Sequence, residues 1–360
     1  MGKYDKDRFQ KELAIRYCLA RQTIPFLEVI TASDSDLSDN TEVLTDLDVV
    51  GIESTGDGAQ IKTFFDCKSS ARMSAINRAF WAAGVKNYTG FDRAHVILKK
   101  PPVTNHRLSA LTLNVDLHDE ESFRELGRII DPSFPADNFY QSSIDRWEAV
   151  LDAYSKNPWS DKTIELVRSK IPLSKIPSRT FRQTIAALRE TRGQYDPAKP
   201  EHLSIFLDIL SSTMVLWASM SQDIRKFYEP KMEKTDFEKV LRYYLWGGKD
   251  AYLIRQQLRE RVKSNNADTA ELPAWSLLLD FAGLTVNAPT GSLNGAHVFR
   301  ELSIRVLSGP IAVHDKDLSL KFKSDNRLRQ FTMAITEYVA KAGGLPKDMM
   351  TAVHSLLSEF

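Results

Sequence analysis

Two short segments place acids inside runs that otherwise read as core β-strand: TDLDVVGIE at residues 45–53 and FFDCKSS at residues 64–70. A carboxylate in a protein interior is expensive unless it is paired or bound to a metal, so any fold of this chain must bring these acids a neutralising partner. Side chains alternate along a strand. Asp46 and Asp48 therefore share one face, and Asp66 and Lys68 share one face. Cys67 points the other way, into the core, as a small hydrophobe. The two runs are joined by STGDGAQ, which contains the hairpin-favouring Asp57-Gly58 dipeptide. A turn centred on Asp57 sets Asp48 directly opposite Asp66. A two-residue turn at Asp57-Gly58 shifts the register by one and sends the acids to opposite faces.

In the first register two facing carboxylates sit beside an ammonium. Carboxylates suit Mg²⁺, with Mn²⁺ as a substitute, and such an ion keeps waters for chemistry. It polarises a phosphoryl oxygen and lowers the pKa of a bound water. Lys68 is placed to position or deprotonate that water, or to neutralise charge on the phosphate. The bland alternative is an exposed hairpin face in which Lys68 makes a surface ion pair.

The surrounding pattern gives an element order. Residues 6–21 carry Phe9, Leu13, Tyr17 and Ala20 on one helical stripe. Residues 24–31, 43–53 and 61–69 read as strands, and residues 71–86 as a helix, with Ser69 and Ser70 as its caps. Residues 94–98 read as a buried strand, and residues 111–115 as one more, before a helix that begins near Glu120. Helix, three strands, helix, strand, with T-D-L-D-V-V-G followed by F-D-C-K-S, resembles the PD-(D/E)xK nuclease superfamily, the restriction-endonuclease-like fold. The resemblance covers roughly residues 6–100. It implies an αβββαβ core, with Asp48 as the strand-borne acid and Asp66, Cys67 and Lys68 as the (D/E)xK signature. It also implies Glu12 as the helix-borne acid, although Glu12 is equally placed to pair with Arg16 at i+4. The signature acid here is Asp, and the proline of the family name is absent. The implied activity is Mg²⁺-dependent hydrolysis of phosphodiester bonds, most simply by a DNA endonuclease of a restriction, repair or phage-defence type. A catalytically inactive scaffold on the same fold is the alternative.

Charge adds a polyanion argument. The whole chain is nearly balanced, with 48 basic and 47 acidic side chains. From residue 62 to residue 107, however, nine bases face only Asp66 and Asp92. Lys62, Arg72, Arg78, Lys99 and Lys100 are the candidate nucleic-acid contacts, and the resemblance implies DNA rather than RNA as the nucleic acid. Residues 225–263 interleave Lys and Arg with Phe227, Tyr228, Tyr243, Tyr244, Trp246 and Tyr252, a second candidate surface for backbone contact and base stacking.

Composition shifts near residue 130. The expectation is an α+β chain: a nuclease-like domain at 1–130, then a mainly helical domain at 131–360 that offers a surface for a protein partner or self-association. Residues 283–320 hold several Gly and β-branched residues and suggest a small hairpin. Residues 202–220 approach the length of a membrane span, but they contain Asp208, which favours a buried bundle helix over a bilayer. With two cysteines and a charged N-terminus, the chain is expected in the cytoplasm.

Overall fold

The structure, a computed structural model, describes residues 6–33, 42–55, 59–70, 73–261, 271–288 and 291–360. Its first part runs α1 (Arg8–Ala20), β1 (Ile24–Ala32), β2 (Val43–Ser54), β3 (Gln60–Lys68), α2 (Ala75–Thr89), β4 (Arg93–Leu98), α3 (Thr104–Thr112), β5 (Asp116–Asp119) and α4 (Glu120–Ile130). The five strands form one mixed sheet in sequence order. β1, β2 and β3 are antiparallel, whereas β3, β4 and β5 run parallel. Leu47 to Ile52 of β2 are all buried, because that strand is covered on both faces. α2 starts on Ser74, whose hydroxyl accepts from the Asn77 N–H at 3.4 Å, so the cap is Ser74 and not Ser69 or Ser70. It ends on Gly90, at φ 72°, a left-handed stop that glycine adopts without strain.

The fifth strand lies later than the sequence pattern suggests. Leu111 and Thr112 close α3, Asn114 takes a left-handed φ of 53°, and the Val115 N–H bonds back to the Ala110 carbonyl. That turn consumes residues 111–115, and pairing begins at Asp116.

Helices follow: α5 (Ile144–Lys156), α6 (Asp161–Glu165), α7 (Pro177–Thr191), α8 (Pro200–Phe227), α9 (Lys234–Trp246), α10 (Lys249–Arg261), α11 (Trp275–Val286), α12 (Gly291–Ser308), α13 (Ala312–Ser324), α14 (Leu328–Gly343) and α15 (Lys347–Ser358). The described residues of 283–320 are therefore helical rather than a hairpin. Two glycines there, Gly291 and Gly295, serve close packing: a Cβ on Gly295 would collide with Met214 Cε of α8. Ser211 of α8 donates to the Ala296 carbonyl at 2.8 Å, and Ser303 of α12 donates to the Ser204 carbonyl at 2.9 Å. α8 is long and apolar enough to cross a membrane by length and composition, and 94% of its most apolar window is buried within the protein.

The expected boundary at residue 130 coincides with the end of α4, yet buried side chains from both parts belong to one continuous core. Arg300 of α12 is 2% exposed and lies 4.9 Å over the Phe26 ring of β1 and 5.3 Å over Trp147 of α5. Its Nε is 3.0 Å from Asp208 Oδ1, and Ser211 and Ser212 accept further bonds from the guanidinium. The Tyr154 hydroxyl donates to Asp208 Oδ2 at 3.0 Å. Truncating one partner of such a pair leaves the other buried and uncompensated, at a cost on the order of 3–5 kcal/mol. Arg300→Ala and Asp208→Ala should each lower the unfolding free energy measured by urea titration by that much. Glu337→Ala, which removes the exposed partner of Lys341, should change stability by less than about 1 kcal/mol. Equal small effects in all three variants would contradict a buried pair.

Candidate active site

The β2–β3 ladder runs from Ser54 opposite Gln60 to Val49 opposite Phe65. Residues 56–58, which hold the Asp57-Gly58 dipeptide, lie outside the described residues, but the flanking pairs fix the register. One step beyond Val49 and Phe65, Asp48 and Asp66 stand across from each other. They share the face of Phe64, whose ring meets Trp81 of α2 at 6.2 Å. Phe65, on the opposite face, packs against Tyr17 of α1 at 5.9 Å, and Cys67 alternates to that side and is fully buried.

Paired rungs end at this point. The Cys67 N–H donates to Asp48 Oδ2 at 2.8 Å, so a side-chain carboxylate takes the place of a backbone acceptor. Lys68 Nζ lies 2.8 Å from Asp48 Oδ2 and 3.0 Å from Asp66 Oδ1. Asp48, Asp66 and Lys68 thus converge. Asp48 is 7% exposed and Asp66 2%, so the neutralisation demanded by their burial is met by neighbouring cations.

Sequence reasoning missed three of the residues involved. Lys11 of α1 approaches Asp48 Oδ1 at 3.4 Å and also pairs with Glu28 of β1. Glu28 sits at φ 55°, and its carbonyl accepts from Arg168 Nη2 at 2.9 Å. Leu27 pairs with Val49 and Val29 with Leu47, so Glu28 stands across from Asp48. Glu28, Asp48 and Asp66 therefore line up across three adjacent strands. At the end of β3, Asp7 accepts bonds from the Ser69 N–H and hydroxyl at 2.5 Å each, and lies 4.0 Å from Lys68 Nζ. Lys11 carried a weak signal, a lysine on the apolar side of a helix. Glu28 carried none, because its backbone departs from regular strand geometry.

Arg78, expected as a nucleic-acid contact, is engaged inside the protein. Its Nε donates to Asp66 Oδ2 at 2.7 Å, its Nη2 bonds the same carboxylate, and its guanidinium lies 3.9 Å over Trp81. Burial by itself would lower the Lys68 pKa, but Asp66 and Asp48 outweigh it and hold the group above the ordinary lysine value. Lys11 is likewise lowered by burial but raised further by Asp48 and Glu28. Burial pushes the Glu28 carboxyl up, against the pull of Lys11. At neutral pH Lys68 is thus an ammonium, suited to donating and neutralising rather than to deprotonating water.

Glu12 does not join this group. Its carboxylate accepts the Ile144 N–H at the start of α5 at 3.1 Å and lies 3.6 Å from Arg16. Adjacent helical residues diverge by about 100°, so Lys11 faces the strands and Glu12 faces α5. Lys62 is also occupied elsewhere: its ammonium donates to the carbonyls of Pro172 and Ser174 at 3.1 and 3.3 Å. Arg93 pairs with Glu53 and Arg107 with Asp119. Much of the positive excess at 62–107 is therefore spent on internal pairing. Lys99 and Lys100 are exposed, and Arg72 lies outside the described residues. An open groove lined by Asp7, Phe9, Gln10, Ser69, Lys99 and Glu120 adjoins the end of β3.

The aromatics of residues 225–263 mostly pack on one another. Tyr228 meets Phe237 at 5.6 Å, Tyr243 meets Tyr252 at 5.7 Å, and the Tyr244 hydroxyl donates to Asp223 at 2.9 Å.

Among the described residues, no three His, Cys, Asp or Glu side chains gather as a ligand set. Mg²⁺ is commonly held by one or two carboxylates plus waters and substrate phosphates, so the facing Asp48 and Asp66 suit it chemically. Compared with protein-family models, curated proteins and solved structures, the chain finds no match in any of the three.

Burial lowers the Lys62 pKa from 10.5 to about 8, partly opposed by Asp92. Between these values the unfolded chain binds more protons than the folded one, so this group makes stability rise with pH from about 8 to about 10.5. Lys62→Met should remove that rise and be the more stable form at neutral pH. Urea midpoints of the two proteins measured from neutral to alkaline pH test this; parallel profiles would show that no charge is buried at residue 62.

Proposed function

We propose that this chain is a metal-dependent nuclease that hydrolyses phosphodiester bonds, most simply a DNA endonuclease of a restriction, repair or phage-defence type. The observation that carries the reading is the meeting of Asp48, Asp66 and Lys68 where the β2–β3 ladder ends, beside an open groove. The sequence of helix, three antiparallel strands, helix and parallel strand favours a restriction-endonuclease-like core. Asp48 and Asp66 would hold Mg²⁺ or Mn²⁺, which when bound polarises the phosphoryl oxygen and acidifies a coordinated water. Lys68 donates to the phosphoryl group and offsets the charge that builds on it. Arg78 and Lys11 fix the rotamers of the two carboxylates, and Asp7 with Ser69 fixes the exit of β3.

One observation favours a second reading, a nuclease-fold scaffold without turnover. Each carboxylate already has two cationic partners, Lys68 and Lys11 for Asp48, Lys68 and Arg78 for Asp66. The two readings separate by experiment. Under the nuclease reading, Lys68→Ala loses ~10²–10³-fold in turnover, Asp66→Ala is inactive, and Glu12→Gln keeps wild-type turnover. The assay uses circular DNA, single-stranded DNA and RNA, each with Mg²⁺ and with Mn²⁺. Wild type and Lys68→Ala equally inert on every substrate would move the assignment to the scaffold.

A further inference from the structure

The groove beside the candidate active site differs in character from the ion-paired cluster. Its volume is about 520 Å³, within the range of small-ligand sites, ~300–1,000 Å³. It begins one residue beyond Lys68: Ser69 and Asp7 line it, and Asp7 lies 4.0 Å from Lys68 Nζ. Lys99, also on its wall and exposed, donates its backbone N–H to the Lys68 carbonyl at 3.1 Å. Phe9 of α1 opens the apolar stripe that continues through Leu13 and Tyr17 into the core, yet it faces the groove and is 42% exposed. The Arg124 guanidinium of α4 lies 4.9 Å over its ring and braces it. Glu120, the first residue of α4, is half-buried and held by Gln10, whose Nε2 donates to Glu120 Oε1 at 2.6 Å. Its second oxygen makes no hydrogen bond or ion pair among the described residues.

Charge says which part of a nucleotide such a groove takes. Asp7 and Glu120 stand against Lys99, because Arg8, the other cation on the wall, is engaged by Asp145 and Glu148. Two carboxylates disfavour a phosphate between them. A flat neutral group with N–H donors is favoured instead: an aromatic ring stacks on its face and a carboxylate accepts from its edge. We propose that the groove holds one unpaired base of the substrate beside the scissile phosphate. Phe9 stacks on the base, Glu120 accepts from the N–H donors of its Watson–Crick edge, and Lys99 meets the flanking phosphate. This inference rests on the nuclease reading and names its substrate class, nucleic acid that is single-stranded where it is cut. A base inside a duplex has its faces stacked and its Watson–Crick edge occupied, so neither Phe9 nor Glu120 can use it.

Binding is measured by fluorescence anisotropy in EDTA, so that no hydrolysis occurs. Three labelled DNA probes are used: a single strand of mixed sequence, its blunt duplex, and an abasic strand of the same length. Phe9→Ala should weaken binding of the single strand ~5- to 150-fold, the loss expected for one base–aromatic stack. It should leave the duplex and the abasic strand unchanged. Phe9→Trp should keep wild-type affinity for the single strand. Phe9→Leu, equally apolar but without a π-face, should behave as Phe9→Ala does. Glu120→Ala should weaken the single strand and spare the abasic one. Equal losses on all three probes would show that Phe9 supports the fold rather than a base, and would overturn the site. Wild-type affinity for the single strand in both Phe9→Ala and Phe9→Leu would also overturn it, with the nuclease reading left intact. A wild-type protein that binds none of the probes, and cleaves none with Mg²⁺ or Mn²⁺, would overturn both.

Discussion

The organisation of the sheet depends on where the charge of Asp48 and Asp66 goes. Two carboxylates on facing positions of an antiparallel pair repel, and burial magnifies the repulsion. The chain answers with a cation from each direction: Lys68 from the same strand, Lys11 from α1 and Arg78 from α2. α1 and α2 are therefore held to the sheet by ionic contacts at one end and by apolar packing along the rest. Breaking any one of these contacts leaves a buried carboxylate with one cation in place of two, which is why the positions of both helices are coupled to the identity of two strand residues. The same contacts leave the carboxylates preorganised, since neither can rotate without losing a partner.

The helical part is not an appendage. Arg300 and Asp208 place a second buried ion pair against Phe26 of β1. Glu301, the next residue, accepts the N–H groups of Tyr140 and Gln141 at 2.8 and 3.1 Å, and burial pushes its carboxyl up to about 7. One short stretch of α12 thus fastens both β1 and the connection out of α4. Such polar contacts add less stability than apolar packing of equal volume, but their directionality sets the orientation of α12 against the sheet, where apolar packing alone permits sliding.

How much of this was legible in the sequence depended on distance along the chain. The three antiparallel strands and the helix after them follow from alternation and a short connection, both local, whereas the Asp48–Asp66 register was one of two that the turn allowed, and the ladder selects it. The long helix at residues 200–227 was legible because its apolar run admits few other homes. The errors arose where a tertiary contact decides. The glycines and β-branched residues of 283–320 suggested a hairpin, but Gly291 and Gly295 mark where α12 meets Phe331 and Met214. Lys62, Arg78, Arg93 and Arg107 read as a basic surface because a linear charge count cannot see the acids, and for Lys62 the carbonyls, that fold back upon them. Glu12 was placed one helical position from the residue that faces the strands. The phase of a helix is set by packing on both α4 and the sheet, and the stripe of Phe9, Leu13 and Tyr17 constrained it too loosely.

The pairing also has a consequence for how a polyanion would be held. Glu28, Asp48 and Asp66 are matched by Lys11, Lys68 and Arg78, and Asp7, 4.0 Å from Lys68, adds a fourth acid. A cluster with no net positive charge exerts no long-range pull on a phosphodiester. Under the nuclease reading, substrate affinity must then come from outside the site, from exposed cations such as Lys99 and Lys100 near the groove. A cation arriving between Asp48 and Asp66 would add the positive charge that the site itself lacks. Division of labour follows from the charge count: the buried cluster is built to set geometry, and the surface cations are what remains to set affinity.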